Sequence, residues 1–296
     1  MGNLVSITRA NFLPLTIVIV FAGLAAAFYS HRVFLPIDAA LVMIGALLTH
    51  ASVNAFNNYF DYRSKIDAKT PKTPFSGGVD VLVKGMMKPS EALTVCLFTL
   101  ICAALIGVYF LVRFYSVLLP LIVYGAIIIV FYTPVFSRVP ALSEIVAGSG
   151  FGLMGLGVYV TQTGVIDAAG IAILIPITIL VALLLFLNEF PDAEVDRVGG
   201  RRHIVILLGK RGSAWLYVAG EAATYASIVI AVAVGAAPFP VLLSLLSLPI
   251  AYKAGRLTLK NYNRTRDLVP ALGSNVLFIL TTITLMAFGF VVASLV

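Results

Sequence analysis

The sequence predicts an all-α polytopic membrane protein: nine transmembrane helices in a bundle around a central cavity, with two Asp-rich cytoplasmic loops. Three observations predict it. The 296-residue chain is 60% hydrophobic and only 11% charged, where soluble proteins carry about 25% charged residues. Its apolar residues fall into runs of about 20, the length a helix needs to cross a hydrocarbon core of about 30 Å. The basic residues fall on alternate connections, with 18 of the 20 Lys and Arg on one face.

The spans are taken in order. The first, 10–30, lacks a small-residue cleavage site followed by a polar mature chain, so it reads as a retained span. The second, 36–60, finishes in amides and acids. The third and fourth, 90–111 and 116–136, are strongly apolar; Cys96 and Cys102 sit on different helix faces of the third, so no disulfide is expected. The fifth, 140–161, carries the run GSGFGLMGLGV at 148–158, which reads as close helix packing. The sixth, 169–190, again ends in polar residues. The seventh, 213–235, holds Glu221, an ionisable group inside a span with no partner evident in sequence. The eighth and ninth cover 238–258 and 269–295.

Only the connections 61–89 and 191–212 are long and polar, so consecutive helices should be antiparallel neighbours. The basic-rich face carries the N-terminus and the connections after spans two, four, six and eight, while the other face keeps Arg32 and Arg113. The positive-inside rule then places the N-terminus and the two Asp-rich loops in the cytoplasm, in a multi-pass integral protein of the cell membrane. Part of the basic excess serves topology and anionic headgroups.

One constellation occurs twice. Asn57-Asn58-Tyr59-Phe60-Asp61 ends the second span and Asn188-Glu189-Phe190-Pro191-Asp192 ends the sixth, 131 residues apart. Each is followed by a further aspartate, Asp67 or Asp196, and then by basic residues: Lys69 and Lys72, or Arg197, Arg201 and Arg202. The repeat suggests one domain over 1–296 built of two related halves, about 1–136 and 137–296. In the first copy, His50, Asn54, Asn57, Asn58 and Asp61 share one helix face. Facing lipid, each Asp near the bilayer centre would cost about 2.5–3.5 kcal/mol, so the stripe should face the bundle interior. His50 reads as a neighbour that orients Asn54 or Asn57.

Carboxylates and amide carbonyls are hard oxygen ligands suited to Mg²⁺, which typically binds one or two carboxylates plus substrate phosphates. Two facing clusters would hold two ions, with a diphosphate clamped between them by Lys and Arg. The sequence holds no Cys/His cluster with zinc spacing, no Ser/His/Asp order, no phosphate-binding Gly loop and no support for nucleic-acid binding. Asp80, Glu91, Glu144 and Asp267 read as structural. A membrane transporter or lipid-binding protein is the alternative, since matched polar sites on repeated helices also describe secondary transporters, although those sites sit near the midplane at broken helices.

At these residues the chain resembles the UbiA superfamily of intramembrane prenyltransferases. The family's first motif, Asn-Asp-x-x-Asp followed by another Asp, stands as NNYFDYRSKID, with Asn58 in place of the usual first Asp. Its second, Asp-x-x-x-Asp, stands as DAEVD at 192–196, and FYTPVFSR at 131–138 resembles a third segment. The resemblance implies Mg²⁺-dependent transfer from a prenyl diphosphate to an acceptor in the membrane, through an allylic cation with release of pyrophosphate. It implies metal ligation by Asn57, Asp61, Asp192 and Asp196, assisted by Asp67 and Asn188. It implies diphosphate contacts from Lys72, Arg138, Arg201 and Arg202, with Arg63, Lys69 and Arg9 beside them. Tyr132 and Asn54 are further candidate substrate contacts. DYRSKID and TPFSGGVDVLVKG resemble the branch that prenylates 1,4-dihydroxy-2-naphthoate, a quinone precursor. Geranylgeranylglyceryl phosphate is the alternative acceptor.

Overall fold

A computed structural model describes residues 2–65, 73–75 and 78–296. All regular structure among the described residues is helical. A short α1 (Gly2–Ile7) leads into α2 (Pro14–His31), α3 (Pro36–Arg63) and α4 (Pro89–Phe131). Then follow α5 (Leu142–Thr163), α6 (Ala168–Val198), α7 (Ile204–Ala233), α8 (Leu248–Asn261) and α9 (Thr265–Leu295). Seven helices are long and apolar enough to cross a membrane among the described residues: α3 to α7, α9, and α2 together with the 3₁₀ turn before it.

The observed elements depart from the sequence reading at four places. The third and fourth spans form one 43-residue run, α4, broken at Phe114, whose φ of −132° and ψ of 40° leave the helical region. Hydropathy marks a lipid boundary rather than the end of backbone hydrogen bonding. So α6 continues through Pro191 to Val198 and α3 runs on to Arg63, which places Asp61, Asp192 and Asp196 on helices rather than in loops. The eighth span opens as a 3₁₀ stretch, Phe239–Ser247, because Pro238 and Pro240 remove donors at its start. And α7 begins at Ile204, nine residues before the apolar run, with Gly209 at φ 70° inside it. Its first turn is capped from another element: the Glu144 carboxylate at the start of α5 accepts the Ile204 N–H at 2.7 Å.

From α2 onward, each helix packs on the next, and α9 returns to α2 to close a ring. Close approach of α5 and α6 depends on glycine. A Cβ on Gly148 would stand 2.4 Å from the Thr178 carbonyl oxygen, and one on Gly152 would stand 2.0 Å from Thr178 Oγ1. The main core gathers α2, α6, α7 and α9, while α1, α3 and the start of α4 hold a smaller cluster around Phe56 and Cys96. On α4, Phe98, Leu105 and Val112 point outward, an apolar surface suited to lipid.

Candidate active site

Each polar helix end has its own scaffold. At the end of α3, Asn58 is fully buried and engaged at both ends of its amide: Nδ2 donates to the Ile7 carbonyl at 2.9 Å, and Oδ1 accepts from Arg9 at 2.9 Å. Arg9 also donates to Asn57 Oδ1 at 3.3 Å, from a left-handed backbone conformation (φ 48°) just after α1. Asn57 Nδ2 donates to Thr133 Oγ1 at 3.1 Å and Asn54 Nδ2 to the Thr8 carbonyl at 3.0 Å. So the segment after α1 lends Arg9 to the wall of the site, held by the Ile7 and Thr8 carbonyls. His50 does not orient the asparagines: its Nδ1 pairs with Thr16 Oγ1 at 2.7 Å and its ring packs edge-on against Phe151.

On α6, Asn188, Asp192 and Asp196 recur at one-turn intervals on one face. These three, with Asn57 and Asp61, line a single cavity of about 260 Å³. Asn188 Oδ1 is buried without a hydrogen-bond partner among the described residues. Such an orphaned acceptor beside four other oxygen-bearing side chains fits a hard divalent cation. Arg201 spans the two helices, ion-paired to Asp61 and, at 3.1 Å, to Asp196. Burial works against its charge, but Asp61 and Asp196 more than offset that and hold its proton above the ordinary arginine range.

Ser143, Glu189 and His203 line the same cavity, as do Thr49, His50 and Tyr132; its apolar wall is built by Phe12, Leu15, Ile128, Phe151, Met154 and Leu184. Through Thr49, Gly125, Ile129, Gly150 and Met154 it shares walls with a second, apolar cavity of about 230 Å³ between α3, α4 and α5. On the opposite side, Asp61, Ser137 and Arg201 separate it from a polar recess of about 250 Å³ that Arg63 and Arg138 also line.

The structure thus brings together Arg9, Asn54, Asn57, Asp61, Tyr132, Asn188, Asp192, Asp196 and Arg201, with Arg63 and Arg138 one recess away. Arg202 is set apart: its side chain is exposed and lines neither recess, while its backbone N–H bonds the Ser137 carbonyl. Asp67, Lys69 and Lys72 lie outside the described residues. Sequence reading took Glu144 as structural and passed over His203. Both are buried beside Glu189, at 3% and 2% exposure; the apolar flanks HIV and LSEIV were the only local signal.

Comparison with known proteins points the same way. Residues 16–279 match the UbiA prenyltransferase family. Over 259 residues, 84% of this chain and 80% of the relative, the sequence is 30% identical to a 1,4-dihydroxy-2-naphthoate octaprenyltransferase of Bacillus subtilis (strain 168). The fold superposes on the apo structure of a UbiA homologue from Aeropyrum pernix K1 with a TM-score of 0.73 at 18% identity, covering 94% of this chain and 97% of that one. It also matches a UbiA homologue from Archaeoglobus fulgidus bound to DMAPP and Mg²⁺, with a TM-score of 0.56 at 14% identity over 96% of this chain and 99% of the other.

Proposed function

The chain belongs to the UbiA prenyltransferase family and is a membrane prenyltransferase; from that premise we propose that it transfers a prenyl group from a prenyl diphosphate to an aromatic quinone precursor. The observation that carries this reading is the single cavity whose oxygen-rich end is built by α3 and α6 and whose other end is apolar. A diphosphate with a hydrocarbon tail has the same division of chemistry.

Asn57, Asp61, Asn188, Asp192 and Asp196 would hold Mg²⁺, which when bound supplies the Lewis acidity that stabilises a departing diphosphate. Arg9 and Arg201 add positive charge at the same end, and Arg63 and Arg138 extend it into the neighbouring recess. The donor's allylic C–O bond breaks, its electron pair leaving with the diphosphate. An electron-rich acceptor carbon then bonds to the allylic cation and loses its proton. The apolar walls exclude water from that cation, and the rings of Phe12, Phe151 and Tyr132 offer π faces to it. The aromatic acceptor is favoured by the naphthoate prenyltransferase relative.

The same reading includes nine crossings with the N-terminus and the polar helix ends in the cytoplasm. A 43-residue α4 would be about 65 Å long if straight, twice a bilayer core, and its break at Phe114 divides it into two spans. The 3₁₀ stretch plus α8 reaches about 39 Å, enough for one crossing. The two basic residues of the other face are tied internally, Arg32 to the Ser294 carbonyl and Arg113 to Asp38.

The test is prenyl transfer by protein in lipid vesicles with Mg²⁺ and radiolabelled geranylgeranyl diphosphate. It is offered 1,4-dihydroxy-2-naphthoate, 4-hydroxybenzoate and geranylgeranylglyceryl phosphate in parallel. Transfer to an aromatic acceptor is expected, reduced at least about hundredfold by Asp61→Ala and by Asp192→Ala. Transfer only to the glyceryl phosphate would overturn the acceptor, and transfer surviving both substitutions would overturn the site.

A further inference from the structure

Beside the oxygen-rich cluster lies a group of different composition. Glu144 at the start of α5, Glu189 on α6 and His203 at the entry to α7 each offer a ligand atom, and those atoms lie within 4.8 Å of one another. All three side chains are more than nine-tenths buried. Glu189 Oε2 and both ring nitrogens of His203 lack a hydrogen-bond partner among the described residues. His203 Nδ1 lies 3.5 Å from Glu189 Oε2, and Nε2 lies 3.3 Å from Asp196 Oδ2, close but not aligned as hydrogen bonds. A buried imidazole edged by carboxylates yet bonded to none of them needs an explanation.

The charges point to one. Asp61, Asp196, Glu144 and Glu189 are all buried here. Arg201 serves Asp61 and Asp196; Glu189 has only His203 at 3.5 Å, a cation when protonated, and Glu144 has no ion pair among the described residues. Glu144 accepts from Ser143 Oγ at 2.6 Å and from Ile204 N at 2.7 Å, but a carboxylate has about four lone-pair sites. Metal–oxygen and metal–nitrogen distances of about 2.0–2.2 Å put neighbouring ligand atoms some 3–3.6 Å apart, so the cluster needs to contract by about 1 Å to close on an ion.

We propose that Glu144, Glu189 and His203 form a second metal site, taking a borderline first-row divalent cation of the Zn²⁺ or Co²⁺ class in preference to Mg²⁺. An imidazole ligand selects such ions, whereas the Asn/Asp cluster offers only oxygen. His203 Nδ1 faces the site and Nε2 lies 3.3 Å from Asp196 Oδ2, so a small rotation of the ring on metal binding would let a ligating histidine give its second N–H to a carboxylate. The ion ties the starts of α5 and α7 to α6 and, through His203, sets the position of Asp196. The proposal rests on this cluster and not on the acceptor or donor proposed above.

The experiment titrates Co²⁺ into chelator-stripped full-length protein in excess Mg²⁺, following the visible d–d absorption and the melting temperature. One Co²⁺ per chain is expected, with a melting temperature that rises with Co²⁺. His203→Gln and Glu144→Gln should each weaken Co²⁺ binding at least about tenfold, while Asp61→Asn, on α3, leaves it unchanged. Glu144→Gln retains an acceptor for the Ile204 N–H, so loss of binding there reports on ligation rather than on folding. Absent absorption, binding equal in wild type and His203→Gln, or binding abolished by Asp61→Asn would each overturn the proposal.

Discussion

Asn58 and Arg201 show how single atoms fix roles at this site. Asn58 stands where the family resemblance expects an aspartate, and its amide explains the choice: Nδ2 must donate to the Ile7 carbonyl while Oδ1 receives Arg9. An aspartate would have no donor for that carbonyl. Asn58→Leu leaves the Ile7 carbonyl unmet and takes one acceptor from Arg9, which keeps Asn57, and should cost about 1–3 kcal/mol, read as a lowered unfolding temperature in detergent. Arg201→Met leaves Asp61 and Asp196 buried and uncompensated, a loss of about 3–5 kcal/mol. Added Mg²⁺ should then raise the melting temperature of the variant more than that of wild type, because the guanidinium no longer competes for the same oxygens. The order of amides and acids on α3 and α6 was legible in sequence because it follows helical spacing. The rest of the site was not. Arg9 acts on a residue 48 positions away, and Glu144 caps a helix 60 positions on. Neither pairing leaves a local signature.

Among the elements, the two faces that pack through glycine and the capped turn opposite the site carry distinct tests. Gly148→Leu cannot be accommodated between α5 and the Thr178 carbonyl and should cost about 1–3 kcal/mol or more, with the apolar cavity reshaped. The glycine run was read from sequence as packing, and the structure agrees for Gly148 and Gly152. The turn into α6 is held by Asp167, which accepts from Ala169 N at 3.0 Å, Tyr159 Oη at 2.7 Å and His31 Nε2 at 2.8 Å. Burial tends to raise its carboxyl, but the hydrogen bonds from Tyr159 and His31 hold it below the ordinary value. A depressed folded-state value means the stabilisation is complete at neutral pH and is lost as pH falls through it. Asp167→Asn should therefore melt lower than wild type near neutrality, with the gap closing below about pH 4. Helix existence was legible from hydropathy. The join at Phe114, the 3₁₀ stretch and the early start of α7 were not, since they depend on backbone geometry and on a cap lent by another helix.

For the whole molecule, the ring closed by α9 on α2 leaves one chamber whose polar mouth and apolar depth belong to the same cavity system. Glu221 lies outside it, buried against Gly255 on the far side of α7. The walls that the site cavity shares with the apolar cavity beside it have a kinetic meaning. A substrate with a hydrocarbon tail that reaches this chamber comes from a two-dimensional solvent, so its effective concentration is a mole fraction in the bilayer, not a molarity in the buffer. Diluting vesicles with buffer at fixed lipid composition should leave the turnover per enzyme unchanged. Diluting the same donor with inert phospholipid should slow it in proportion, until release of product back into the sheet of lipid sets the pace.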